Sequence, residues 1–156
     1  MKGLLLYCRP GFESDCAAEI QDQAALLDCF GFVKTQSQSG YVYFECYDPS
    51  HAELLIKQLN FFRLVFARQM IAVSDLVSEM DVNDRITPLL AAAQGLPLGG
   101  DVWVETPEGD ETKPLLTFCR KFTVPLRAAL RTANKITAKE QGRKPRYHVC
   151  FLDNQT

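Results

Sequence analysis

Arg127, Arg131 and Lys135 recur at i, i+4 and i+8, the spacing that brings side chains onto one face of an α-helix. Arg120 and Lys121 precede them, and Lys139, Arg143, Lys144 and Arg146 follow. Between Thr112 and Leu152 the single acid is Glu140. Guanidinium and ammonium groups in such a row, with so few carboxylates among them, suit the neutralisation of a string of phosphates. A solvated basic surface is the plain alternative for any stripe of this kind, and the scarcity of acids weighs against it here.

The rest of the chain sharpens the contrast. Residues 1–110 hold 7 Lys/Arg against 16 Asp/Glu, and residues 111–156 hold 10 against 3, so −9 and +7 sum to the formal −2. A near-neutral total conceals a basic C-terminal third, and nucleic acid is the first partner it suggests. Other chemistries find less support. Cys8, Cys16, Cys29, Cys46, Cys119 and Cys150 are scattered without a CxxC pair, and His51 and His148 lack ligand-spaced companions; a zinc site is not expected. No Cys/His arrangement for nucleophilic catalysis is visible. At 47% hydrophobic the chain can form a core without disulfides, so the thiols read as reduced, mostly buried, and cytoplasmic. No apolar run approaches the roughly 18 residues a membrane helix needs. The start at Met1-Lys2 is too short for a signal peptide.

These side chains must be carried by elements, and the periodicity supplies them. Leu4 to Tyr7 reads as a strand ending at the turn Arg9-Pro10-Gly11. Phe12, Cys16, Ala17, Ile20, Ala24 and Leu27 recur at helical spacing, with Gly31 as the expected stop. Phe32–Gln38 and Tyr41–Tyr47 form a hairpin about Ser39-Gly40. Asp48-Pro49-Ser50 opens a helix with Leu54, Leu55 and Leu59 inward, and Val65 to Val73 makes a fourth strand. Strand, helix, strand, strand, helix, strand over residues 1–75 is the ferredoxin-like βαββαβ arrangement.

Asp75, Glu79, Asp81 and Asp84 form an acidic connector into a second α/β unit, residues 76–156. Its elements are a helix over 85–94 with Pro88 in the first turn, a break at Leu96–Gly100, a strand over 101–106, and helical sequence from Lys113 to Phe122. A new helix is then expected, capped by Thr123 and with Pro125 in its first turn, carrying the stripe to Lys135. A loose basic segment leads to a strand over 147–152. Trp103 and Tyr147 fall on strands, where each either joins the core or stacks on an unpaired base. Arg9 either docks RNA or another domain, or pairs with Glu13, while Arg68 reads as a structural hydrogen-bonding residue.

Four stretches carry a resemblance: Cys8 to Glu13, Phe66 to Gln69, Asp84 to Pro88, and the long string from Phe118 through Arg131. Together they resemble the bacterial large-subunit ribosomal RNA methyltransferase M family over nearly the whole chain. The resemblance implies a ferredoxin-like subdomain (1–75) followed by a THUMP-type RNA-binding domain (76–156) that stops before its last strand. It also implies an S-adenosyl-L-methionine-dependent methylation of a cytidine 2′-O-ribose in 23S rRNA, performed by a C-terminal Rossmann-like methyltransferase domain that this chain does not reach. On that reading no catalytic, metal or cofactor residue lies here, and S-adenosyl-L-methionine serves the full-length enzyme only. The expected partners are 23S rRNA and the enzyme's own catalytic domain, with no membrane. Arg120, Lys121, Arg127, Arg131, Lys135, Arg143 and Lys144 are the expected RNA contacts. Two other readings compete. One is a stand-alone interaction module; the other is a small acylphosphatase-type enzyme, which would need a phosphate-cradling loop after the first strand.

Overall fold

In the first strand, β1 (Gly3–Cys8), Leu4, Leu6 and Cys8 point to one face and Gly3, Leu5 and Tyr7 to the other. The first set meets an apolar helix stripe, Cys16, Ala17, Ile20 and Ala24 of α1 (Glu13–Ala25). Val42, Phe44 and Cys46 of β3 (Tyr41–Cys46) and Ala52 and Leu55 of α2 (Ser50–Gln58) close the same core. Leu4, Leu6, Ile20 and Leu55 are fully buried, worth about 1.5–3 kcal/mol each. With β2 (Gly31–Lys34) and β4 (Ala67–Val73) the sheet runs β2-β3-β1-β4, every neighbour antiparallel. This is the ferredoxin-like arrangement. The computed structural model describes residues 1–139, 142–153 and 156.

Two local readings are corrected in this sheet. Gly31 does not stop α1. Asp28, at φ 56°, turns the chain left-handed, its N–H donating to the Ala25 carbonyl and that of Cys29 to the Ala24 carbonyl, a Schellman-type end. Gly31 instead opens β2, where a Cβ would collide with the Glu45 carbonyl oxygen. Nor does Glu13 pair with Arg9. Its carboxylate is 4% exposed and accepts the N–H groups of Gly11 and Gly40, each at 2.9 Å, while the Arg9 guanidinium lies over the Phe12 ring. Burial pushes the Glu13 carboxyl up, but the amides of Gly40, Glu13, Gly11 and Gln38 outweigh it and hold the group below its usual value.

The contacts divide the chain into two units, Met1–Asp75 with Pro107–Glu111, and Leu76–Thr106 with Thr112–Thr156. Within the first, Glu108 reaches the sheet: its carboxylate meets Arg68 Nη1 at 2.6 Å. A Cβ on Gly40 would stand 2.5 Å from the Glu108 carbonyl oxygen.

The second unit holds α3 (Ile86–Ala92), β5 (Asp101–Glu105), α4 (Leu115–Thr132) and β6 (Arg146–Cys150). β5 and β6 pair in parallel, Val102 opposite Tyr147, Trp103 opposite His148 and Val104 opposite Val149. Among the described residues these two strands form the whole of this sheet. Leu115, Cys119, Phe122, Leu126 and Leu130 make one unbroken stripe along α4, packed with Val102 and Phe151.

That stripe explains why one helix stands where two were expected. Pro125 costs a helix interior about 3 kcal/mol. Breaking the helix there would take Leu126 and Leu130, 0% and 3% exposed, out of the core at a comparable cost each. Pro125 sits on the exposed side, where water can serve the carbonyl it leaves unpaired. Thr123 is no cap; its hydroxyl donates to the Cys119 carbonyl one turn back, at 2.8 Å. The helix closes at Asn134, φ 56°, with the Lys135 N–H on the Leu130 carbonyl and the Asn134 N–H on the Arg131 carbonyl, again a Schellman motif. No helix among the described residues is long and apolar enough to cross a membrane.

Candidate nucleic-acid interface

Once the core stripe of α4 is fixed, geometry decides where its cations point. Arg120 and Lys121 fall on the exposed side, beside Leu116 and Val124. Arg127 falls at the flank of the stripe and is half-buried. Its Nε donates to Asp101 Oδ1 at 2.9 Å and its Nη2 to Oδ2 at 3.4 Å, a two-point clasp on a carboxylate at the head of β5 that is only 6% exposed. Arg131 Nε donates to the Thr137 carbonyl at 3.2 Å. Lys135, beyond the end of α4, donates from Nζ to the Gln94 carbonyl at 3.0 Å.

The three residues expected to form one exposed stripe are therefore not one. Each binds the loops and strand head that flank α4, and Lys135 has left the helix altogether. Sequence spacing could not reveal this, because the partner of Arg127 lies 26 positions upstream and the helix end is set by Asn134.

Arg143 and Lys144 are exposed and lead directly into β6. Arg146, expected in the same loop, is instead the first residue of that strand. Its guanidinium carbon lies 3.8 Å from the centroid of the Trp103 ring. Lys139 is exposed as well, whereas Glu140, the acid of this run, lies outside the described residues.

The two aromatic candidates also separate. Tyr147 turns toward the core side with Val102 and Val104, and burial pushes its hydroxyl pKa up. Trp103 turns outward and keeps 47% of its surface exposed. It shares that face with Arg146 and His148; the His148 ring meets it edge-on at 5.9 Å and is held by Nδ1 against Glu105 Oε1 at 2.8 Å. Strand alternation contains this grouping, since parallel partners share a face, but it becomes readable only once the register of β5 and β6 is known.

Two loops are poorly suited to cradling an anion because their backbone amides are already used. A cofactor cradle would need free N–H groups at a glycine turn. The amide of Gly99 donates to the Lys135 carbonyl and that of Gly100 to the Pro145 carbonyl, while Gly99 is packed against Tyr147. These residues do not fit S-adenosyl-L-methionine. An acylphosphatase-type loop after β1 fails in the same way: the Gly11 amide already donates to the Glu13 carboxylate and that of Phe12 to the Arg9 carbonyl. A buried carboxylate at that loop would also repel a phosphate.

Comparison with known proteins identifies both parts of the chain. Residues 1–71 match the family model described as the RlmM ferredoxin-like domain, and residues 84–156 match that of ribosomal RNA large subunit methyltransferase M, N-terminal. The chain is 60% identical over 156 residues to the ribosomal RNA large subunit methyltransferase M of Psychromonas ingrahamii, covering 100% of this chain and 43% of that protein. It is 51% identical to the protein of the same name from Aliivibrio salmonicida, over 98% of this chain and 43% of the relative. For that of Tolumonas auensis the figures are 50%, 100% and 43%. The chain thus spans less than half the length of these relatives, and with both of its family matches it belongs to the ribosomal RNA large subunit methyltransferase M family.

Proposed function

We propose that this chain is the RNA-positioning N-terminal region of a cytoplasmic, S-adenosyl-L-methionine-dependent 23S rRNA methyltransferase that acts on a cytidine 2′-O-ribose. Residues 1–75 form its ferredoxin-like subdomain and residues 76–156 a THUMP-type RNA-binding domain. The catalytic and cofactor-binding groups belong to the further length of such an enzyme, and that part is also the chain's protein partner. The observation that carries the reading is the set of exposed cations in the second unit, Arg120, Lys121, Arg143 and Lys144, in a stretch nearly devoid of acids. Contacts of this kind go to phosphates and fix orientation without reading sequence. Arg127, Arg131 and Lys135 contribute chiefly by holding α4 to its surroundings, with only their remaining N–H groups available to RNA.

The test is binding to a 23S rRNA domain transcript across a salt series, with an Arg120→Ala/Lys121→Ala double variant alongside. Affinity is expected to fall steeply with salt, and the variant's slope to be shallower by about 1.4–1.8 for two lost phosphate contacts. Absence of binding, or binding indifferent to salt, would refute the reading.

A further inference from the structure

Trp103 is the chain's one tryptophan, and the fold gives it no core to join. It stands on the outer face of β5, with 47% of its surface exposed, while its neighbours Val102 and Val104 face α4 and the core. An exposed large side chain alone needs no explanation. This one is framed. The planar Arg146 guanidinium covers its ring at 3.8 Å, the His148 ring packs against it at a steep angle, and Glu105 fixes that imidazole. All four side chains stand on paired strands, so the group is held by backbone geometry, as a preorganised site requires. Arg143 and Lys144, both exposed, lie just ahead of β6, separated from Arg146 by Pro145.

We propose that this face is a stacking platform for an unpaired nucleobase of RNA, the base taking the guanidinium's place over the Trp103 indole. Stacking of a base on an aromatic ring is generally worth more than an exposed cation–π contact, which favours the exchange at the ring itself. Arg146 then pairs with the nucleotide's phosphate, and Arg143 and Lys144 meet its neighbours. Charge complementarity selects the occupant: an apolar peptide has no use for three cations at the rim, whereas a single strand of RNA presents π-faces and phosphates alternately. The inference rests on the RNA-binding reading above and adds to it a demand for unpaired nucleotides.

The test uses the full chain and a single-stranded ribonucleotide hexamer, beside an abasic hexamer of the same backbone. Binding of the hexamer is expected to quench tryptophan emission, which reports Trp103 alone, and the abasic strand to leave it unchanged. Trp103→Ala should weaken hexamer binding about 5- to 150-fold, with Trp103→Phe keeping most of it and neither altering abasic binding. Because the quenching is measured on the unaltered protein, it does not depend on how well the variants fold. If the hexamer binds by anisotropy with unchanged emission, or if the rRNA transcript binds and the hexamer does not, the platform is refuted and the RNA-binding reading stands. If neither RNA binds, both fail.

Discussion

Removing the Arg127 side chain would leave the Asp101 carboxylate buried with its two-point partner gone. Breaking a fully buried pair costs about 3–5 kcal/mol. Since the Arg127 side chain is 31% exposed, water relieves part of that, and Arg127→Ala is expected to destabilise the chain by about 1–3 kcal/mol in urea unfolding. Arg127→Lys should recover only part of the loss, because an ammonium cannot reproduce the fork. Arg120→Ala, on the open side of the same helix, should stay within about 0.5 kcal/mol of the parent and reveal itself only in the salt dependence of RNA binding. Glu13 gives the residue scale its pH signature. Its carboxyl is held below the usual value, so its contribution is complete above the ordinary carboxylate range and is lost as pH falls through the folded value. Glu13→Gln should cost about 1.5–3 kcal/mol at neutral pH. That gap should narrow progressively as pH falls below the ordinary glutamate range, as followed by unfolding at each pH.

At the scale of elements, α4 shows what local rules can and cannot decide. The rule that proline opens helices argued for a break at Thr123–Pro125. The apolar stripe Leu115, Cys119, Phe122, Leu126, Leu130 was written in the same residues and argued for continuity. Tertiary burial is the larger quantity, so continuity wins. Pro125 then remains as a local defect on the exposed side. Pro125→Ala should raise stability by about 1–2 kcal/mol, read from the urea midpoint, the interior penalty being partly offset by the greater freedom alanine gives the unfolded chain. The strands and helices of the first unit were legible because alternation and helical spacing are strong there, from Leu4 to Val73. Helix ends were less so: Asp28 and Asn134, at positive φ, took the closing role that a glycine more often holds. The ends mattered, since the position of Asn134 is what removed Lys135 from the helical face.

At the scale of the whole molecule, charge follows the two units. The first carries 6 Lys/Arg against 12 Asp/Glu and the second 11 against 7, giving −6 and +4, which sum to −2. A chain with a sequence pI of about 5.7 would ordinarily pass through a phosphate-bearing cation exchanger at neutral pH. This one is expected to be retained there at low salt and released as screening rises, with Arg120→Ala/Lys121→Ala eluting earlier. How such cations are divided between outward and inward work was the part hidden in the sequence. It depends on a strand head and two loop carbonyls that have no local signature.

The placement of Pro107–Glu111 with the first unit also bears on how such a protein can be recombined. Those five residues are joined covalently at both ends, Thr106 and Thr112, to the second unit, yet the Glu108 backbone fills the space that a side chain on Gly40 would need. A graft of residues 1–75 onto a foreign second unit would bring Gly40 without its complement. The two units are therefore not interchangeable cassettes. A viable exchange must carry a short stretch from the middle of one module along with the other, and neighbouring sequence is a poor guide to what has to be inherited together.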